Sequence, residues 1–188
     1  MIIRTLMLSS CVSAIMMASP VSTSTVAGNA CPAGTVTAAS YTWNFKSEAD
    51  TTFKAIQDDA HQALDAADML KNSDLPSDMK WPEASEQLDQ IRDSVNDIGA
   101  RLCRLQAIRP VVSPWQQAEI TRITKAVVLM ANNTEDAITF ANGHQRELWR
   151  GSFRLYESNL YNLSHSLTKS IDHAVSYAKA NHEDQPTS

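Results

Sequence analysis

Glycine, cysteine and aromatic residues are all sparse in this chain: five Gly, three Cys and 6% aromatics in 188 residues, with seven Pro. So little Gly and Pro excludes a collagen-like or low-complexity polymer, and 43% apolar residues excludes an intrinsically disordered one. Surplus positive charge is missing too. Lys and Arg number 16 against 21 Asp and Glu, a net charge of −5, so no basic field draws the protein to nucleic acid. At this length one domain is expected, burying roughly 70% of the surface its unfolded chain exposes.

Catalytic signatures are absent as well. There is no Cys-x-x-Cys for redox or zinc chemistry and no Cys-x-x-Cys-His for covalent haem. No nucleophile elbow, phosphate loop or zinc-protease helix is present. Ser166 beside His165, and Ser170 near Asp172 and His173, are neighbours on one helix and point in different directions, which prevents a hydrogen-bonded relay. No catalytic residue is assigned, and the chain reads as a non-enzyme.

The first thirty residues have the order of an export signal. Arg4 precedes an uncharged apolar run from Thr5 to Ala18, then Pro20 and a small, polar stretch. That run is shorter than the about 20 residues a spanning helix needs. Small residues at −3 and −1 place cleavage after Ala27 or Ala30. Leu8-Ser9-Ser10-Cys11 resembles a lipobox, but too few apolar residues precede it. The expected product is periplasmic or secreted, with no transmembrane span in the mature chain. Cys31 and Cys103 then remain, and an even count in an oxidising compartment suggests one disulfide between them. It would tie an extended segment, 31–45, along the outside of a helical body.

What is present is helical periodicity. Four segments bury one face each: about Lys46 to Lys71, Glu83 to Ile108, Pro114 to Ala141, and Gln145 to Ala180. The first carries Phe53, Ile56, Ala60, Ala63, Ala67 and Leu70. The second carries Leu88, Ile91, Val95, Ile98, Leu102 and Leu105. The third runs through Ile120, Ile123, Val127, Met130, Thr134, Ala137 and Ala141. On the fourth, Trp149, Phe153, Tyr156, Leu160, Leu163 and Leu167 lead to Ile171, Ala174 and Ala178. Ser113-Pro114-Trp115-Gln116 is a helix start with a capping-box glutamine, and Asn142-Gly143 marks an end. Rods of similar length with short connections fold as an up-down-up-down four-helix bundle, all-α, over 46–182, followed by a disordered tail at 183–188.

Such bundles can house haem or metals, so a periplasmic cofactor- or metal-binding bundle is the alternative reading. A di-iron site needs Glu-x-x-His motifs, and there are none. His173, flanking Ala174, is the one histidine able to face a seam, with Met130 as a conceivable partner. Asp58, His61 and Asp65, at i, i+3 and i+7, share a helical face that could grip a surface metal. An ordinary solvated face explains the same triplet, so no cofactor and no metal is assigned.

Charge and aromatics are unevenly spread. Residues 45–100 hold 13 acidic against 5 basic residues, whereas 101–188 hold 8 against 10. The simplest consequence is attraction between the two hairpins. The functional one is an acidic face for a cationic protein or cell-envelope partner, with Asp58, Asp65, Asp89 and Asp93 as candidates. Tyr41, Trp43, Phe45, Trp115 and Tyr177 should gather at one end of the bundle, and Trp81, Phe140, Trp149 and Phe153 at the other, plugging both.

From Ser113 to Asn181, the run SPWQQAEITRITKAVVLMANNTEDAITFANGHQRELW and the helix after it resemble secreted helical proteins of soil bacteria, a group without an assigned activity. The resemblance implies export and a helical fold, and no chemistry. The sequence therefore points to an exported, non-catalytic helical bundle serving as a binding or structural module.

Overall fold

The computed structural model describes residues 43–72, 81–148 and 151–183. The signal segment, Cys31, Tyr41, Trp149 and the tail 184–188 lie outside the described residues. Four helices account for the rest: α1 (Phe45–Asn72), α2 (Trp81–Ile108), α3 (Pro114–Gly143) and α4 (Gly151–Glu183), with a single 3₁₀ turn at Arg109–Val111. Among the described residues there is no strand. The protein is an all-α four-helix bundle.

Local chemistry sets the helix ends. Asn44 accepts the Ser47 backbone N–H at 3.1 Å and starts α1. Pro114 opens α3, with Ser113 donating to Gln116 Oε1 from its backbone N–H (2.9 Å) and its hydroxyl (2.8 Å). At the other end of α3, His144 N–H returns to Ala141 O at 3.3 Å and Glu147 N–H to His144 O at 2.7 Å. Residues 144–148 therefore turn, and α4 begins at Gly151 instead of near Gln145.

Each helix packs on two neighbours, α1 on α2 and α4, α3 on α2 and α4. Cross-helix contacts give the directions. Along α1, Gln57, Ala60 and Lys71 meet Asp172, Thr168 and Tyr161 of α4 in descending order, so the two run antiparallel. Phe140, Met130 and Arg122 of α3 meet Phe153, Ser164 and Ser170 in the same way.

The expected stripes of α1, α2 and α3 are buried throughout. On α4, Phe153, Leu160, Leu167, Ile171, Ala174 and Ala178 are buried as expected, and the stripe departs at two positions. Tyr156 and Leu163 are only partly buried, and Glu157 and Ser164 take the inner positions. Tyr156 leans on Phe140 of α3, ring centroids 5.4 Å apart, which lets its hydroxyl stay near water. The aromatic ends form in part. Trp115 meets Phe53 at 6.0 Å and Tyr177 at 5.0 Å. Trp43 does not join this plug: it is 64% exposed and donates its indole N–H to Glu48 at 2.7 Å.

Candidate binding groove on the α1–α2 seam

A groove of about 820 Å³ runs along α2 where it meets α1. One wall is a row of carboxylates, Glu86, Asp89, Asp93 and Asp97, recurring about once per helical turn. Trp81, the first residue of α2, stands at one end, and Gln62 of α1 and Ser94 also line it. Ser94 is only 5% exposed.

The basic groups nearby are already engaged. Arg92 forks between two members of the row, reaching Asp89 at 2.6 Å and Asp93 at 3.0 Å. Arg101 donates from Nε to Asp59 Oδ2 at 2.6 Å, and that bond, opposed by partial burial, raises its pKa above the usual arginine value, with Asp97 and Asp58 adding attraction. Further along the seam, Glu48 accepts from Arg104 Nε at 2.5 Å and from Trp43, which holds its carboxyl below the ordinary value despite desolvation. Trp43, Asn44 and Thr52 help line a smaller hollow of about 480 Å³ there.

Of the four acidic residues singled out from sequence, Asp89 and Asp93 line the groove, while Asp58 and Asp65 are exposed on α1 outside it. The triplet Asp58, His61 and Asp65 is not drawn together: His61 turns to α4, its Nε2 lying 3.1 Å from Asp172 Oδ1, which also accepts from Gln57 at 2.7 Å. Among the described residues no group of three His, Cys, Asp or Glu could hold a metal ion. His173 is exposed and stacks toward Tyr177 at 6.5 Å, whereas Met130 is fully buried against Ser164. The two therefore do not face one another, because a 100° step from Ala174 carries His173 off the seam. Cys103 is partly buried on α2, one position off the buried stripe; its expected partner Cys31 lies outside the described residues.

No family model, curated protein or solved structure matches the chain. Among the described residues no helix is long and apolar enough to cross a membrane.

Several polar residues escaped the sequence reading. Asp59, 7% exposed, follows Ile56 at i+3 and was available as a stripe position, but only its pairing with Arg101 makes burial affordable. Gln116, 1% exposed, reaches beyond its cap: Nε2 donates to Lys46 O (3.0 Å) and Asp50 Oδ1 (2.8 Å), joining the starts of α3 and α1. Glu157 has burial as its main influence, which pushes its carboxyl up to about 7 against a smaller opposing effect of Arg154. Asp59–Arg101 and Glu48–Arg104 join α1 to α2, pairing carboxylates of 45–100 with arginines that follow residue 100, and His61 meets Asp172 between α1 and α4.

Proposed function

We propose that this protein is an exported, non-catalytic helical-bundle module that binds a cationic protein or cell-envelope component through the acidic groove of α2. The observation that carries this reading is the row Glu86, Asp89, Asp93 and Asp97 lining one concave surface, with a single arginine, Arg92, shared between two of its members. Four carboxylates along one wall leave a net negative potential in a cleft, which attracts and orients a positively charged partner. Export to the periplasm or beyond rests on the order of residues 1–30. The Cys31–Cys103 disulfide belongs to the same proposal, as a tether between the segment after the signal and the outer side of α2.

Two measurements test it. A non-reduced intact mass of protein recovered from an exporting bacterial host should match cleavage after Ala27 or Ala30, less two hydrogens for the disulfide. Affinity capture from the same envelope should recover a basic partner, lost when Asp58, Asp65, Asp89 and Asp93 are all changed to Asn. Unchanged capture by the fourfold variant would sink the acidic-face reading.

A further inference from the structure

Resting on the proposed Cys31–Cys103 disulfide, we infer that residues 32–42 of this chain cross the outer side of α2 and occupy the hollow at the start of α1. That hollow, about 480 Å³, is lined by Trp43, Asn44, Ser47, Glu48, Thr51 and Thr52. Both ends of the segment are anchored at its rim. At one end the chain enters α1 through Trp43 itself. At the other, Cys103 precedes Arg104, whose Nε donates to Glu48 of the hollow at 2.5 Å. Cys103 is not a free thiol, and the chain's other cysteines are Cys11, within the first thirty residues, and Cys31.

Length and surface chemistry both favour this occupant. Residues 32–42 reach about 36 Å when extended, whereas crossing one helix takes about 10 Å, so the segment has slack to descend into the hollow. Two anchors hold it there at an effective concentration of about 1 mM, so weak contacts suffice. The charge on the outer side of α2 stops where the path lies. Its first half carries Glu86, Asp89, Asp93 and Asp97, but Ala100 and Ala107, about one turn to either side of Cys103 and Arg104, are small and uncharged. In the hollow Glu48 is neutralised by Arg104, and the rest of the lining is neutral. The segment itself, Pro-Ala-Gly-Thr-Val-Thr-Ala-Ala-Ser-Tyr-Thr, has no charge and few bulky side chains. It lies on such a surface without burying an ion, and the hydroxyl oxygens of Ser47 and Thr51 can accept from its backbone N–H groups.

The test is amide hydrogen exchange on the oxidised mature protein, beside its intact mass. Residues 32–42 should exchange at least about tenfold more slowly than an unstructured chain. That protection should vanish on reduction with dithiothreitol and in Cys31→Ser, while the amides of α3 stay protected. It should also vanish in Thr51→Glu, which places a charge in the hollow at an exposed position and leaves the disulfide intact. If the mass shows the disulfide and the segment exchanges freely, or its protection survives Thr51→Glu, the hollow is not its seat: the inference is overturned and the disulfide stands. A mass with two free thiols overturns both.

Discussion

Arg101 on α2 holds Asp59 on α1 through one charge-assisted hydrogen bond of 2.6 Å, and the two ends of that bond are unequally wet. The side chain of Asp59 is 10% exposed and that of Arg101 41%. Removing the arginine thus strands a carboxylate in the protein interior, while removing the carboxylate only frees a cation to the solvent. Arg101→Met should cost about 2–3 kcal/mol of stability and Asp59→Asn less. Urea titrations check the asymmetry. In the double-mutant cycle the Asp59→Ala/Arg101→Ala protein should lose clearly less than the sum of its parents.

Gln116 is the corresponding joint between α3 and α1. Gln116→Leu keeps the volume but leaves Lys46 O, Asp50 and the Ser113 cap without its amide. The expected loss is about 1–3 kcal/mol, or about 2–4 °C in Tm per kcal/mol for a domain of this size, read by thermal unfolding.

Glu157 gives the bundle an unusual pH dependence. Its folded-state pKa is raised to about 7, so the native protein keeps a proton that the unfolded chain releases in the ordinary carboxylate range. This contribution is complete below the unfolded pKa and is lost as pH rises toward 7, on the order of 1–3 kcal/mol in all. Glu157→Gln should remove that slope and be more stable than the wild type at pH 8, by denaturant midpoints across pH 5–8. Glu48 acts in the opposite sense. Its lowered carboxyl stabilises the fold above the ordinary carboxylate pKa, and that share is lost as pH falls through its folded value.

Phe153 and Trp43 are both large aromatics assigned to the plugs, yet their truncation should differ sharply. Phe153 is fully buried near Phe140, and Phe153→Ala should cost about 3–5 kcal/mol. Trp43 is mostly exposed, and Trp43→Ala should cost less than about 1 kcal/mol, chiefly the bond to Glu48. Equal losses would mean that Trp43 packs against more than α1.

The fold was legible because apolar spacing reports directly which side of a helix faces its neighbours, and Ile91, Val95, Ile98 and Leu102 repeat without interruption. The groove was legible in half. Asp89 and Asp93 stand out as charge, but a charge count over residues 45–100 carries no information on curvature, so it missed Ser94 and Trp81 and favoured Asp58 and Asp65 equally. Glu157 and Asp59 were missed for a different reason. A single ionisable residue on an apolar face looks like a flaw in the stripe until the neighbouring helix supplies, or withholds, its partner. The helical register of His61 was read correctly as surface, yet its Asp172 neighbour lies 111 positions away, beyond any local pattern.

The inner face of α1 is largely alanine: Ala49, Ala60, Ala63, Ala66 and Ala67 are fully buried. Methyl groups let helices approach closely, but they offer shallow ridges, and one turn of such a surface looks much like the next. α1 is therefore a smooth rail whose axial position is keyed by pegs outside the stripe: Arg104 on Glu48, Arg101 on Asp59, Gln116 on Lys46 and Asp50, and Thr168 on Ala60 O. Loss of several pegs together would leave the alignment of this rod to the few large ridges of Phe53, Ile56 and Leu70, and a loss of alignment is a failure that a measurement of helix content alone would not register.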